Sequence, residues 1–390
     1  MIIFDHRQKG LSHSKGNAYI IKLIAEKYSN EIIHLFLEQT HYNEILNIYM
    51  KNNISLSNVV HHPLPIKLNI GYRMYHYFVQ DFKIIKIIYD FMRTTKEEKV
   101  FSLYTSTCQL YLMQILSKLN SNVKFYTLIH SELELVDLSR YKSSLKLFLY
   151  YLFVSIYIPL NIKLNDNFKY FVLGESIKQN MLNLLPKLKN SVLYFDNNYI
   201  FQDKFNFIPF QNNKIKFGIF GMVHPNTNGK VFLRLFEQLA KIENKNFEFH
   251  FIGHMRDQEL VDKFKKYDFV KIYAKAKEFI SDEMLTELGK TVDYGVYGHM
   301  ADSYKMTASG AFWDTFSFFK PAIVIRNDYF GYYFDKHGNI GYCCNNFDEL
   351  YKKIISIIRN PNTEEYKKQV LCIEKMRKDI NLNSRENLVL

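Results

Sequence analysis

The residues best suited to holding an anion lie in the stretch YKMTASGAFWDTFSFFKP, residues 304–321. Thr307, Ser309 and Gly310 stand where a strand pattern has ended and a helical pattern begins. The first N–H groups of a helix have no partner within the helix, and the helix dipole adds positive potential there. A glycine at this place costs helix stability that packing need not require, so the pattern favours a diphosphate site.

Three side chains around this helix start have the chemistry to complete a nucleotide site. Tyr304 and Lys305 precede it, and Lys305 adds a full positive charge. Asp314 follows one helical turn beyond Gly310, where a carboxylate can accept both hydroxyls of a ribose. The alternative is that one of the hydroxyl residues only caps the helix and that Asp314 is exposed.

A second loop with anion-binding character is GMVHPNTNGK, residues 221–230. It follows a strand pattern and precedes a helical one, and Gly221 at the strand end permits close approach of the backbone. Lys230 can reach a phosphate from the start of that helix. His299, which ends the strand pattern VDYGVYGH, can contact a donor sugar, and a solvated loop is the alternative. Because residues 221–230 match neither the dinucleotide-binding nor the P-loop fingerprint, an ordinary strand-to-helix turn is the alternative.

Candidates for acid–base chemistry lie in the first half of the chain. His130 and Glu132 follow the strand pattern KFYTLIH, and either can act as a base or bond a sugar hydroxyl. The N-terminal loop places His13 and then Gly16-Asn17 before a helical pattern, which suits an anion or a sugar. A solvated surface loop is the alternative for each of them.

The elements that carry these loops alternate between strand and helix in both halves, which predicts parallel sheets with helices on their faces. His61 and His62, which precede a proline, are expected in a turn. Two Rossmann-like domains that face each other across a cleft are expected, with ligands beyond the carboxyl ends of the strands. The predicted divisions are an N-terminal domain over 1–204, a linker over 205–214, a C-terminal domain over 215–362 and a helix over 363–390 that packs back on the first domain.

Composition narrows the class of partner. The chain of 390 residues has 51 Lys and Arg against 39 Asp and Glu, and the net charge of +12 implies an anionic partner. No run of five or six basic residues occurs, so nucleic acid is not expected. The four cysteines lack CxxC and zinc spacings, which argues against a zinc site and indicates a reducing, cytosolic compartment. No cofactor is expected. The N-terminus MIIFDHRQKG lacks the apolar core of a signal peptide, which predicts a cytoplasmic protein.

The stretch SSLKLFLYYLFVSIYIPLNIKL, residues 143–164, has two interpretations. Its uncharged run, Leu147–Ile162, is shorter than the ~20 residues of a membrane span. The first interpretation is a buried helix plus strand that covers the first sheet. The second is an element on a membrane surface, with Lys142, Lys146 and Lys163 on anionic head groups, which makes the chain peripheral at the inner face of the plasma membrane.

The ordered motifs of the second half resemble GT-B glycosyltransferases of the broad bacterial group that builds capsules, lipopolysaccharide O-chains and exopolysaccharides (family 4-like, group 1). These motifs span residues 215–358 and are IKFGIFGMV with Gly229-Lys230, FHFIGH, VDYGVYGH leading into Tyr304-x4-Ser309-Gly310, Lys320-Pro321 with AIVI, and IGYCCNNFDEL. The first half is similar more loosely, through Gly16-Asn17, His130 and YFVLGESIKQNM.

The resemblance implies a nucleotide-diphosphate sugar held by the C-terminal domain without a metal, and an acceptor held by the N-terminal domain. It places Ser309 and Gly310 at the diphosphate, Lys230 at a basic phosphate contact and Asp314 near a ribose-binding acid. It also matches His130 to a histidine that contacts the donor sugar in many retaining members.

Two departures from the group's pattern concern the phosphate site. The group has a Glu-x7-Glu motif, whereas Tyr304–Lys320 contains Asp314 alone. The group's usual arginine is missing, and His224 takes its place.

The expected function is transfer of a sugar from a nucleotide-diphosphate donor to a glycan or lipid-linked acceptor in surface-polysaccharide synthesis. Retention of configuration is favoured, and an inverting enzyme with His130, Glu132 or an acid of the N-terminal loop as base stays open. One alternative is a non-catalytic GT-B-like subunit or scaffold. Another is a non-hydrolysing sugar epimerase, which needs several acids and histidines around the sugar.

Overall fold

The computed structural model describes residues 1–65, 74–138, 144–196, 199–201, 205–210, 214–243, 245–278, 280–388 and 390. The described chain divides into two compact units. The first contains Met1–Ile200, Met306–Ala308 and Ile380–Leu390, and the second contains Phe201–Lys305 and Ser309–Asp379. The domain limits read from the sequence stay predictions.

The described part of the first unit contains a seven-stranded parallel sheet. Its strands are β1 (Ile2–Phe4), β2 (Ile33–Leu37), β3 (Val59–Pro63), β4 (Lys99–Ser102), β5 (Lys124–Leu128), β6 (Phe168–Leu173) and β7 (Val192–Phe195). The strand order is β3-β2-β1-β4-β5-β6-β7. Most of the inner strands are apolar on both faces, as expected for a parallel sheet covered on two sides.

Helices follow most of these strands. They are α1 (Ser14–Lys27), α2 (Gln39–Lys51), α3 (Met74–Thr95), α4 (Thr107–Leu119), α5 (Leu145–Val154), α6 (Tyr157–Asn161) and α7 (Glu175–Leu184). A 3-10 turn over Ser131–Leu135 follows β5. The start of α4 is fixed by a capping box, in which Ser106 and Gln109 bond each other's backbone N–H groups.

The described part of the second unit contains a six-stranded parallel sheet. Its strands are β8 (Ile215–Val223), β9 (Phe247–Met255), β10 (Val270–Ile272), β11 (Tyr294–Tyr297), β12 (Ala322–Ile325) and β13 (Gly341–Cys344). The strand order is β10-β9-β8-β11-β12-β13. These two parallel sheets with helices confirm the α/β fold class that the sequence predicted.

The helices of the second unit are α8 (Asn228–Leu239), α9 (Gln258–Phe264), α10 (Asp282–Thr291), α11 (Gly310–Ser317), α12 (Asp328–His337), α13 (Phe347–Arg359) and α14 (Thr363–Asn387). From Ile380 onward α14 belongs to the first unit, where the main-chain oxygen of Leu390 accepts the hydroxyl of Tyr28 at 3.1 Å. Phenylalanines are prominent in the core, where the ring of Phe249 contacts those of Phe217 and Phe236.

The segment before β8 packs on the second unit through aromatic side chains. The buried ammonium group of Lys320 lies 2.8 Å from the ring centroid of Phe207 and donates to the carbonyl of Lys290 at 2.9 Å. The backbone N–H of Phe210 donates to buried Asp293 at 2.8 Å. These contacts make the described part of 205–210 a portion of the second unit's packing.

The strand order identifies where each sheet can bind a ligand. The order of connection reverses between β1 and β4 in the first sheet and between β8 and β11 in the second. The crevice beyond the carboxyl ends of the strands at such a switch point is the usual ligand site of open parallel sheets. The loops after these four strands contain Asp5, Tyr104, His224 and His299.

Two expectations about local structure are wrong. His61 and His62 lie in strand β3 rather than in a turn, and Pro63 ends this edge strand, where a missing N–H is tolerated. The stretch 144–164 forms the two helices α5 and α6, without the expected strand. Lys142 and Ser143 lie outside the described residues.

Candidate functional site

The loop after β1 is organised by the buried carboxylate of Asp5. One oxygen accepts the backbone N–H groups of Arg7 and Gln8, at 2.9 and 3.1 Å, and the other accepts the side-chain amide of Asn17 at 2.9 Å. The same amide nitrogen lies 3.0 Å from Nε2 of His41, whose Nδ1 bonds a backbone carbonyl of the loop. The side-chain amide of Asn17, a predicted sugar contact, therefore holds this loop in place through hydrogen bonds to Asp5 and His41.

The first turn of α1 brings another predicted residue to the same edge. His13 precedes the helix with a left-handed backbone, φ 55°, and its side chain does not cap the helix. Its ring centroid lies 5.2 Å from that of His130, which follows β5. Gly16 lies in the first turn of α1. Two predicted histidines from loops more than 100 residues apart in sequence thus face each other.

The hydrogen bonds of His130 define what its ring can do. Nε2 lies 3.2 Å from the carbonyl oxygen of Leu103. A carbonyl only accepts, so the ring proton is on Nε2 and the lone pair is on Nδ1. Removal from water, followed by the neighbouring His13, lowers the pKa of His130 to about 4. At pH 7 the neutral ring can accept a hydroxyl proton at Nδ1 but cannot donate from that atom to a phosphate.

The carboxyl group of Glu132 is held beside His130. It accepts the backbone N–H of His130 at 3.2 Å and is hydrogen-bonded to the hydroxyl of Tyr104. Burial is the largest cause that raises the pKa of Glu132, and the charge of Asp5 acts in the same direction. The structure therefore places both predicted catalytic groups in one cluster with Asp5 and His13, at the carboxyl edge of the first sheet.

A buried ion pair that sequence reasoning missed supports this cluster. Asp81 on α3 accepts from Nε2 of His6 at 2.6 Å, from Arg7 at 2.7 Å and from the hydroxyl of Ser106 at 2.5 Å. These hydrogen bonds and charges lower the pKa of Asp81 although burial acts against them. Asp81 ties α3 and α4 to the loop that also contains Asp5.

In the second unit, helix α11 begins where the sequence predicted an anion site. Ser309 is its N-cap, and the Ser309 hydroxyl accepts the N–H of Phe312 at 3.3 Å. Gly310 is exposed, its φ is not positive, and a Cβ added there meets no atom within 4 Å. Neither packing nor backbone geometry requires this glycine. Asp314 lies half-buried one turn further along.

Close packing positions the start of α11 against the sheet. Gly221, at φ +81°, lies two residues before the end of β8, and a Cβ there would lie 2.5 Å from Cβ of Ala311. A Cβ on Gly253 of β9 would lie 1.8 Å from the carbonyl oxygen of Gly221. This packing and the positive φ are enough to account for Gly221, whose predicted role was close approach to a ligand.

Residues of the loop between β8 and α8 converge on an asparagine that the sequence did not single out. Asn228 accepts the N–H of His224 at 2.9 Å and donates to the carbonyl of Met222 at 3.0 Å. Its amide nitrogen also lies 3.1 Å from Nε2 of His299. Lys230, the predicted phosphate contact, is exposed in the first turn of α8.

The segment before α11 divides between the two units. The hydroxyl of Tyr304 lies 3.2 Å from Nε2 of His299, in the second unit, and Lys305 is exposed. Thr307 belongs to the first unit, where its hydroxyl donates to Glu134 at 2.8 Å. The Thr307 hydroxyl therefore bonds an acid of the first unit and does not cap α11.

The described residues contain no group of three or more His, Cys, Asp or Glu side chains arranged to bind a metal ion. Sequence reasoning also missed Asp5 as the organiser of its loop. The sequence contained a signal for this role, since the first strand pattern, MIIF, is followed directly by Asp5-His6-Arg7 at its carboxyl end.

No protein-family model matches the chain, and no curated protein matches its sequence. Solved structures do match along nearly the whole chain. Sucrose-phosphate synthase from Thermosynechococcus elongatus is 12% identical with a TM-score of 0.64, over 98% of this chain and 96% of that one. HepE from Anabaena in complex with UDP and glucose is 13% identical with a TM-score of 0.58, over 99% and 98%. A UDP-N-acetylglucosamine 2-epimerase is 12% identical with a TM-score of 0.54, over 97% and 94%.

These likenesses establish the fold. The chain has the GT-B fold of two Rossmann-like domains, as the resemblance of its motifs predicted. Structures with this fold include both a sucrose-phosphate synthase and a UDP-N-acetylglucosamine 2-epimerase, so the fold leaves the reaction to be argued from the residues.

Proposed function

We propose that the chain is a glycosyltransferase whose second unit binds a nucleotide-diphosphate sugar and whose first unit binds a glycan or lipid-linked acceptor. The observation that carries this proposal is the start of α11. An exposed glycine that packing does not require begins a helix beside the carboxyl ends of β8 and β11. Backbone N–H groups left open by such a glycine suit a diphosphate, and the helix dipole favours its charge.

The chemistry proposed for the second unit is stabilisation of the leaving diphosphate without a metal. Negative charge grows on the diphosphate as the sugar departs, and oriented N–H groups lower the barrier most where they are fixed beforehand. We propose that the N–H groups of Gly310 and Ala311, at the start of α11, serve as these donors. The exposed Lys230 and Lys305 are proposed to add positive charge at the phosphates. Asp314 is proposed to accept the ribose hydroxyls, and His224 to contact the diphosphate.

The chemistry proposed for the first unit is recognition of a sugar hydroxyl by His130. Its Nδ1 lone pair accepts from a hydroxyl, and Glu132 holds the adjacent backbone. A histidine with a pKa of about 4 is a weak base at pH 7, which suits hydrogen bonding better than proton abstraction. We therefore propose retention of configuration and a role in capsule, O-antigen or exopolysaccharide synthesis.

Calorimetry with UDP, GDP and CMP tests the donor site. We expect one of the three to bind the wild-type chain and Ser309→Trp to abolish that binding, because the indole covers the helix start. Leu371→Trp, at an exposed position of α14, is the matched control and should bind normally. Absence of binding by all three nucleotides contradicts the proposal. Binding without sugar transfer in the presence of a membrane extract supports a non-catalytic subunit instead.

One observation favours a second candidate, a nucleotide-sugar epimerase. The first unit assembles two acids and two histidines, Asp5, Glu132, His13 and His130, at one sheet edge. Such a set can move a proton to and from a sugar carbon. Incubation with UDP-N-acetylglucosamine in D2O separates the two functions. An epimerase incorporates deuterium at C2 of the sugar, whereas the proposed transferase leaves C2 protonated.

We further propose that helix α5 contacts a membrane surface. The exposed fractions of Leu145, Leu149 and Tyr150 are 73%, 44% and 56%, so α5 is not the buried helix of the first interpretation. Residues 144–164 contain no acid, and Lys146 and Lys163 are exposed. An apolar helix with cations beside it binds anionic lipid surfaces. Among the described residues, no helix combines the length and apolarity needed to cross a bilayer.

Co-sedimentation with vesicles tests this contact. We expect the chain to bind phosphatidylglycerol vesicles more strongly than phosphatidylcholine vesicles. The double variant Leu149→Asn and Tyr150→Asn should lose binding, while Leu371→Asn, also at an exposed apolar position, should keep it. Equal binding of the double variant and the wild type contradicts a role for α5.

A further inference from the structure

The amide of Asn228 has one orientation that satisfies its backbone neighbours. Its Oδ1 faces the N–H of His224, which can only donate, and its Nδ2 faces the carbonyl of Met222, which can only accept. The hydroxyl of Thr227 also lies 3.2 Å from Oδ1. Exchange of the amide oxygen and nitrogen would break the first two bonds at once. Asn228 therefore presents an N–H to its remaining neighbour, His299.

This orientation determines the tautomer of His299. Nε2 of His299 lies 3.1 Å from the amide nitrogen of Asn228 and must accept its hydrogen. The hydroxyl of Tyr304 approaches the same Nε2 at 3.2 Å. A proton on Nε2 would point at an N–H group, so the hydrogen bonds assign the ring proton to Nδ1.

The Nδ1–H group of His299 has no hydrogen-bond partner among the residues that the structure describes, and the atom is buried. The ring is surrounded by aromatic side chains, with centroids of Tyr304 and Phe330 at 4.7 and 6.1 Å. Burial lowers the pKa of His299 to about 4, so the ring is neutral at pH 7. A buried donor without an acceptor destabilises the protein until a ligand or water supplies one.

From this geometry we infer that Asn228 is a positioning residue, which holds His299 in the Nδ1–H tautomer to donate to an oxygen of the nucleotide-diphosphate sugar. The inference rests on the proposed function for the class of ligand. His299 follows β11 and Asn228 begins α8 after β8, and these two strands flank the switch point of the second sheet. Phosphate and sugar oxygens are both acceptors, so the proposal requires a donor at this position.

Nitrogen NMR of the wild-type chain, labelled with 15N in its histidines, tests the tautomer without any variant. The long-range 1H–15N spectrum should show His299 with a pyrrole-type Nδ1 and an unprotonated Nε2 at pH 7, and His299→Gln identifies its signals. Addition of UDP-glucose should shift the Nδ1 resonance. A proton on Nε2 overturns the role of Asn228. An unshifted Nδ1 under conditions where calorimetry shows UDP-glucose bound overturns the ligand contact.

These outcomes are distinct from failure of the proposed function. If calorimetry shows no binding of any nucleotide or nucleotide sugar, the proposed function fails while the tautomer result still stands. The shift on saturation with UDP-glucose and the comparisons of UDP-glucose affinity depend on both.

Two pairs of variants test the contact by affinity. Asn228→Asp places an acceptor opposite Nε2, which draws the ring proton to that atom and removes the donor at Nδ1. We expect UDP-glucose affinity to fall roughly ten- to a hundredfold. The matched control Asn226→Asp, at an exposed position in the same loop, adds the same charge and should change affinity far less. Equal losses in the two variants contradict the inference.

The second pair replaces His299 itself. The amide nitrogen of asparagine can occupy the place of Nδ1, whereas that of glutamine occupies the place of Nε2. We therefore expect His299→Asn to retain more UDP-glucose affinity than His299→Gln, with thermal unfolding measured for both. The reverse order of affinity, in two equally folded variants, contradicts donation from Nδ1.

Discussion

The carboxyl edges of the two sheets differ in the kinds of polar and ionisable groups that they carry. The first edge concentrates ionisable groups, among them Asp5, Glu132 and His130. Hydrogen bonds within their own loops hold Asp5 and Glu132, and a bond to the loop after β4 holds His130. The second edge is built from a glycine, backbone N–H groups and a histidine that stays neutral, with Asp314 as the acid on α11. The first edge therefore presents side-chain hydrogen-bond groups, and the second presents mainly backbone N–H donors.

Under the proposed function, this difference assigns hydroxyl recognition to the first unit and diphosphate binding to the second. Backbone donors suit a diphosphate because they carry no charge of their own and need no reorganisation when the leaving group becomes more negative. Hydroxyl recognition needs directed acceptors, which side chains provide. Variants of the first edge should therefore act on turnover, and variants of the second on nucleotide affinity.

The largest effect is expected from His130→Ala. Loss of the acceptor at Nδ1 removes a hydrogen bond to a sugar hydroxyl that strengthens in the transition state, and it should lower sugar transfer by about 10²- to 10³-fold. Calorimetric affinity for the free nucleotide should stay unchanged. His61→Ala, which removes a histidine from edge strand β3, is the control and should transfer sugar normally. A parallel loss of nucleotide affinity in His130→Ala would contradict the proposal that the two edges have separate roles.

Asp81→Ala should have the next largest effect, on stability. Its removal leaves three donors, including Arg7, without their shared buried acceptor, and the free energy of unfolding should fall by about 3–5 kcal/mol in urea titrations. Asp348→Ala, which breaks an exposed pair with Arg234, should cost at most about 1 kcal/mol. Similar losses in the two variants would show that the first edge does not depend on buried charge.

The pH dependence of stability tests what the two edges share. His130 and His299 each have a folded pKa of about 4, below the ordinary value of 6.5. Between pH 6.5 and 4 these two histidines are protonated in the unfolded chain but neutral in the folded chain. The free energy of unfolding should therefore fall as the pH drops from 6.5 toward 4. Each histidine should contribute up to about 3 kcal/mol of that loss. Urea titrations of His130→Gln and His299→Gln should each show a shallower decline than the wild type.

The smallest effects sharpen the comparison within the second edge. Gly221→Ala should destabilise by about 1–3 kcal/mol, because its φ is +81° and the new Cβ meets Ala311. Gly310→Ala should leave stability equal or raise it by up to about 1 kcal/mol. Its methyl group should nevertheless weaken nucleotide binding, measured by calorimetry. Unchanged nucleotide affinity in Gly310→Ala would contradict diphosphate binding at the start of α11.

Much of the architecture was predictable because strand and helix periods are local. Runs such as IIHLFLE and FEFHFIGH carry the apolar pattern of covered strands, and the helix start at Ser309 follows from its capping chemistry. Strand β3 escaped prediction because its second half is two histidines and a proline. Val59 and Val60 were the signal for it.

The supporting residues of the site were not predictable in the same way. Asp81 meets His6 across 75 positions, and Asn228 meets His299 across 71. No local pattern in a single sequence marks such partners, since their roles arise only when the strand order brings two loops together. The proton positions on His130 and His299 depend further on which backbone atoms face each ring nitrogen.

The packing of Phe207 and Phe210 determines where the chain can be divided. A fragment that begins at Ile215 would leave Lys320, a fully buried ammonium group, without the aromatic face that covers it, and Asp293 without one of its backbone donors. A separately produced second unit should therefore begin before Phe205, although the periodic sequence pattern starts ten residues later. Residues 205–210, which resemble an interdomain spacer in sequence, therefore cover part of that unit's core.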